Sequence, residues 1–177
     1  TRMNEPLVNE RLSSLEQRLF RMEAIEEIKQ LRWEYSRACD DNHNADRLVP
    51  MFVEDAEIVL NHPFSGTVKG HAALRDMFQN NPVRNGITWT FHYYLQPLIN
   101  IHADQVTADA SWYLWELAKM PNDQGVEEAV WVTGEYEDTY MKEDGRWKFT
   151  RIVVNVRVLS PYSDGWAKTM IRGVNAG

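Results

Sequence analysis

The sequence predicts an α+β domain, with N-terminal helices packed into a strongly curved, mostly antiparallel sheet that forms a cone-shaped α+β barrel. Two observations carry this. Apolar residues at helical spacing fill the first part of the chain, and from Ile87 onward four long stretches rich in β-branched and aromatic residues follow one another with short turns between them. The chain's 177 residues, 44% of them hydrophobic, suit one domain with a substantial core.

From Asn9 to about Cys39 there is no Pro or Gly, and Leu12, Leu15, Leu19, Met22, Ile25, Ile28, Leu31 and Tyr35 recur at helical spacing. This is one long helix or two in tandem. Its first half carries a narrow apolar stripe flanked by Glu16, Arg18, Arg21 and Glu23, which suits packing on a partner chain as well as on its own domain. A homodimer or homotrimer is the expected assembly. Residues 1–23 read as a helical extension, 24–159 as the domain, and 160–177 as a tail too apolar to hang free, expected over a cavity mouth or on a neighbouring subunit.

The polar run Asp40 to Asn44 breaks the helix, because short polar side chains compete for backbone bonds. Ala45 to Val53 resumes as a short helix, Ala56 to Leu60 is β-like, and a turn lies around His62, Pro63, Ser65 and Gly66. A helix follows from about Gly70 to Gln79, then a loop through Asn80, Asn81, Pro82, Asn85 and Gly86. The four strands run from about Ile87 to Ile101, Gln105 to Met120, Glu127 to Met141 and Arg146 to Leu159. Ala103-Asp104, Pro121 to Gly125 and Glu143-Asp144-Gly145 read as hairpin turns.

Net charge narrows the function. With 19 Lys and Arg against 26 Asp and Glu, the formal balance is −7, so a nucleic-acid or anionic-membrane partner is not expected. Cys39 is the only cysteine, which excludes an internal disulfide and a thiolate zinc cage. Neither an apolar membrane-spanning run nor a hydrophobic signal region is present, and a cytoplasmic protein is expected. There is no Gly-rich phosphate loop, no G-x-S-x-G elbow and no H-E-x-x-H. The five histidines show no paired spacing on one element, so neither a metal nor a cofactor is expected.

Strand alternation places the candidate groups. Thr88, Thr90, His92 and Tyr94 share one face, and Trp89, Phe91, Tyr93 and Leu95 the other. Ala108, Ala110, Trp112, Leu114 and Glu116 share a face, so Glu116 is an acid closing an apolar row. Trp147, Phe149, Arg151, Val153, Asn155 and Arg157 form a third row, in which the Arg and Asn groups could bind a substrate oxygen or be solvated on an outer face. Taken singly, His92 reads as a structural strand histidine, Glu116 as a solvated strand end, Tyr35 as core and Asp40 as a turn residue.

Their order along the chain changes that reading. Tyr35 and Asp40 at the end of the first helix, T-F-H-Y-Y-L-Q-P-L from Thr90 to Leu98, S-W-Y-L-W-E from Ser111 to Glu116, and G-E-Y-E-D-T-Y…D-G-R-W-K-F from Gly134 to Phe149 resemble the SnoaL-like branch of the nuclear transport factor 2-like superfamily. The resemblance covers roughly Ala24 to Leu159. Within it the chain is similar to bile acid 7α-dehydratases, and at Asp40 and His92 alone to the dehydrochlorinase that acts on hexachlorocyclohexane. The dehydratase likeness implies a cavity lined by Tyr35, Asp40, His92, Glu116 and Arg157. Glu116 stands where the dehydratase has an aspartate, and Arg157 matches only with a one-residue shift.

These residues suit acid–base work. Asp40 would fix the His92 tautomer, His92 would take a proton beside an activated carbon, Tyr35 or Glu116 would protonate a leaving oxygen, and Arg157 or Asn155 would stabilise developing charge. Seven tryptophans suggest a bulky alicyclic or aromatic substrate, with Trp112, Trp147 and Tyr94 as candidate binding residues. The expected activity is a cofactor-independent lyase of dehydratase type. A carbon–carbon lyase releasing formaldehyde from an aromatic diol, an isomerase, and a non-catalytic binding or assembly module remain alternatives.

Overall fold

A computed structural model describes residues 5–84 and 86–173. Helix α1 spans Glu5–Asp40 without interruption. Its first half is exposed, and burial begins at Ala24 and continues through Ile28, Arg32, Tyr35 and Cys39, residues that share one helical face. The helix ends in a Schellman-type cap: Asn44 N–H donates to the Ala38 carbonyl at 2.9 Å and His43 N–H to that of Cys39 at 2.9 Å. Asn42 and His43 both take left-handed backbone angles there, which turns the chain back on the helix end.

Helix α2 is shorter than the sequence suggests, covering Ala45–Leu48, with Asn44 capping it through Arg47 N–H at 3.3 Å. A 3₁₀ turn, Val49–Met51, follows, and strand β1 (Phe52–Leu60) begins four residues earlier than the β-like pattern indicates. Strand β2 (Gly66–Lys69) pairs back on β1, and helix α3 (His71–Arg84) runs past Gln79 into the expected loop. Asn85 of that loop lies outside the described residues. Strands β3 (Trp89–Ile101), β4 (Thr107–Pro121), β5 (Glu127–Glu143) and β6 (Arg146–Pro161) form the predicted meander. Asp144 and Gly145, at φ 51° and 76°, make the tight turn between the last two.

The six strands form one sheet in the order β2-β1-β6-β5-β4-β3, antiparallel throughout except where β1 runs parallel to β6. This is the predicted α+β architecture. The core lies between the concave face and the buried halves of α1 and α3, with Phe52, Phe78, Phe149 and Tyr35 packed ring against ring.

Register irregularities decide which side chains face inward. Strand β6 carries extra residues at Thr150 and at Arg157, each opposite a break in the pairing with β5. Each reverses the alternation, so the inward row runs Trp147 and Phe149, then Ile152, Val154 and Val156, then Leu159. Gly134 belongs to the second break: a Cβ there would sit 2.2 Å from the Asn155 carbonyl oxygen, so β6 approaches as closely as it does only because the residue is glycine.

The tail expected at the cavity mouth or on a neighbour turns back on its own sheet. Leu159 pairs with Ile171, Arg172 reaches Glu128 at 2.8 Å, and Trp166 and Tyr162 pack on Trp131. Its last residues, 174–177, lie outside the described residues. Among the described residues no helix is long and apolar enough to cross a membrane.

Candidate active site

The C-terminal turn of α1, helix α3 and the concave sheet line an open-mouthed cavity of about 160 Å³. Most of its wall is apolar, supplied by residues such as Ile58, Phe78, Leu114, Val132 and Val154. Polar groups gather where α1 ends over β3 and β4.

Asp40 closes α1 and grips His92 twice. Its carboxylate accepts from His92 Nδ1 at 2.7 Å and from the His92 backbone N–H at 3.1 Å. The other ring nitrogen, Nε2, lies 3.5 Å from Glu116 Oε2, and His92 and Glu116 stand directly opposite each other on β3 and β4. That register depends on a bulge. The hairpin pairs Ile101 with Ala108, and the extra residue at Gln96-Pro97 shifts the pairing so that His92 meets Glu116 rather than Leu117. Gln96 at φ 49° and a proline without an N–H accommodate the bulge on this edge strand.

Burial dominates the electrostatics. It pushes the Glu116 carboxyl above the usual range, an effect that the neighbouring imidazole partly offsets. Burial pulls the His92 imidazolium down, but the Glu116 and Asp40 carboxylates together outweigh it and hold His92 above the ordinary histidine range. His43 packs edge-on against His92 with ring centroids 6.2 Å apart. Burial and then the His92 charge push His43 down to about 4, so it is neutral at pH 7. Burial also raises the Tyr35 and Tyr136 hydroxyls, which line the same cavity as neutral donors.

The structure thus brings together Asp40, His92, Tyr35 and Glu116, and leaves the other predicted residues out of the cavity wall. Arg157 is on the outer surface, paired with Glu135 at 3.0 Å, and Asn155 faces out to accept from Asn61 at 2.6 Å. The alternation that put them in the row of Trp147 is broken at Thr150, which corrects both placements. Trp112 and Trp147 are buried in the core rather than in the cavity wall. Tyr94 stacks behind His92, with centroids 6.2 Å apart, and is likewise not part of that wall.

Three features escaped the sequence reading. His43 and Tyr136 reach the cavity, and Arg32 forms a fully buried ion pair with Asp138. Asp138 also accepts from Tyr140 Oη at 2.6 Å, whose oxygen in turn accepts from Trp112 Nε1 at 3.3 Å. The Arg32 guanidinium sits 4.4 Å from the Tyr94 ring centre and 4.8 Å from that of Tyr136. Alternation on β5 already aligns Tyr136, Asp138 and Tyr140, and an acid in such a row needs a cation. Arg32, on the helix face of Ile28 and Tyr35, was the available one.

A family model described as a SnoaL-like domain matches residues 21–153. The chain belongs to the SnoaL-like domain family. Solved structures agree in fold. The SnoaL-like chain is similar to a hexachlorocyclohexane dehydrochlorinase from Novosphingobium barchaimii, with a TM-score of 0.71 at 19% identity over 82% of this chain and 94% of that one. A protein from Novosphingobium aromaticivorans, provisionally assigned as a scytalone dehydratase, gives 0.66 at 20% identity over 88% and 94%. A nuclear transport factor 2-like protein with a cystatin-like fold, from the same organism, gives 0.63 at 21% over 82% and 89%. No curated protein sequence matches the chain. The SnoaL-like assignment made from the sequence motifs therefore stands, while the finer likeness to bile acid 7α-dehydratases rests on those motifs alone.

Proposed function

We propose that this SnoaL-like protein is a cofactor-independent lyase that eliminates water, or a comparable leaving group, from a small, largely apolar ring compound. The carrying observation is the line Asp40–His92–Glu116, with contacts of 2.7 and 3.5 Å, ending at an apolar cavity.

The carboxylate of Asp40 accepts the Nδ1 proton and leaves the Nε2 lone pair free as the base. Nε2 takes a proton from carbon, the electron pair forms the new double bond, and the carbon–oxygen bond breaks. Glu116, whose carboxyl burial holds above the usual range, is the acid that gives its proton to the departing oxygen. Proton transfer from His92 to Glu116 across their 3.5 Å contact then restores the starting state. Tyr35 and Tyr136 remain neutral in the wall and can hydrogen-bond the leaving oxygen. Positioned acid–base groups contribute roughly 10²- to 10⁴-fold each, and this site supplies both a base and an acid.

Cavity size narrows the substrate. At about 160 Å³ it is close to the ~150 Å³ that accommodates one benzene ring. A single substituted six-membered ring fits, whereas a steroid would leave most of its skeleton outside. The supporting experiment is a screen of cyclic alcohols and halides by product mass, on wild type and His92→Ala. Loss of 18 mass units marks water, loss of about 30 formaldehyde, and no change an isomerisation. Saturable binding of ring compounds without turnover would instead favour a binding module.

A further inference from the structure

The cavity holds a second chemical arrangement, two of whose three members take no part in the proposed elimination. Cys39 from the last turn of α1, His43 from its cap and His92 from β3 offer one sulfur and two imidazole nitrogens, all within 4.8 Å of one another. We infer that these three side chains form a binding site for one thiophilic divalent cation of the Zn²⁺ type, and that the cation inhibits the enzyme by occupying the His92 base nitrogen.

The donor set suits such a cation. Sulfur with two imidazoles is a borderline-soft combination that favours Zn²⁺ over Mg²⁺ or Ca²⁺, which take oxygen ligands. With zinc–sulfur and zinc–nitrogen bonds of about 2.3 and 2.0 Å, tetrahedral ligand atoms stand roughly 3.3 to 3.7 Å apart. Closing from 4.8 Å needs movements of about 1 Å, within reach of side-chain rotation. His43 lies in the cap turn rather than within a helix or strand, is only partly buried, and is the ligand best able to move.

The surroundings match those of a metal-bound histidine. Asp40 accepts the Nδ1 proton of His92, leaving Nε2 for the cation and orienting the ring, as carboxylates commonly do behind zinc ligands. Glu116 Oε2 is 3.5 Å from that nitrogen, and the three donors leave the fourth position open. On binding, the Cys39 thiol proton leaves to solvent and a thiolate–cation bond forms, with no change of oxidation state.

Cation binding is independent of the elimination, whereas inhibition rests on the lyase reading, and the test separates the two. Chelator-treated full-length protein is titrated with Zn²⁺ against a chromophoric chelator, and in parallel with Co²⁺ while the thiolate-to-cobalt charge-transfer band is followed. The expected result is one cation per chain, with affinity lowered about tenfold or more in both Cys39→Ser and His43→Ala and the cobalt band lost in Cys39→Ser. Circular dichroism checks folding, and His43→Ala, in a partly exposed turn, keeps the test decisive if the buried cysteine variant misfolds. Absence of 1:1 binding, or affinity unchanged in folded His43→Ala, overturns the site. Where a turned-over substrate is found, Zn²⁺ should abolish the reaction and the chelator should restore it. Saturating Zn²⁺ without inhibition would overturn the regulatory half and leave the binding site standing.

Discussion

Asp40 holds His92 by both its ring and its main chain, so one carboxylate fixes the imidazole's orientation and the position of the strand that carries it. In Asp40→Asn the amide can donate as well as accept, and the tautomer with the proton on Nε2 becomes accessible. Turnover should fall roughly 10²- to 10⁴-fold with the circular dichroism spectrum retained. The NMR titration midpoint of His92 should also fall, because a carboxylate that raises it is gone. A midpoint indifferent to the substitution would mean that the contact is only structural.

Glu116 and His92 titrate as a pair, and the productive form carries one proton between them, available as the acid. Activity should therefore decline at alkaline pH as that last proton leaves. Glu116→Gln removes both the donor and the alkaline limb, leaving a rate about 10²-fold lower that stays flat above the His92 midpoint. A retained alkaline limb would assign the acid elsewhere. Both groups hold protons more tightly folded than unfolded. Their contribution to stability is full below the unfolded values and is lost as pH rises through the folded ones. Arg157→Ala is the natural control, because its surface ion pair with Glu135 is far exposed and its loss should leave the profile unchanged.

Much of this arrangement was legible in the sequence, and the failures have a common cause. Alternation gives the residues that share a face with His92 on β3 and with Glu116 on β4, the family resemblance turns those faces toward a cavity, and the polar run marks Asp40 at the helix end. Alternation assumes unbroken pairing. On β6 the extra residue at Thr150 carries Asn155 and Arg157 outward with nothing in the local pattern to announce it, and the one at Arg157, marked only by Gly134 on the neighbouring strand, restores the alternation. The Arg32–Asp138 pair joins residues 106 positions apart, and only the curvature of the sheet brings them together.

Arg32 and Asp138 lie at the centre of the helix–sheet interface with no exposed side-chain surface. Burial opposes the Arg32 charge, but Asp138 and the surrounding tyrosine hydroxyls outweigh it and keep the guanidinium charged. Replacing one member leaves the other charge unpaired in the core. Arg32→Met or Asp138→Leu should each cost about 3 to 5 kcal/mol in urea unfolding, and the double variant should cost less than either single change. Additive losses would show that the two groups act independently.

The first half of α1 exposes Leu12, Leu15, Leu19 and Met22, each more than half open to solvent, while burial on the same helix starts only at Ala24. Such a row of large apolar side chains, unused within its own domain, matches the expectation from the sequence that this helix packs on a second copy of the chain. The outer faces of β3 and β4 add Trp89, Phe91, Tyr93 and Trp115. If the helix holds the expected homodimer or homotrimer together, removing residues 1–20 should lower the mass seen by sedimentation while the domain's circular dichroism spectrum persists. Leu15→Glu with Leu19→Glu should have the same effect without shortening the chain. An unchanged mass in both variants would assign association to the aromatic sheet face, where Trp115→Glu would then be the substitution that dissociates it.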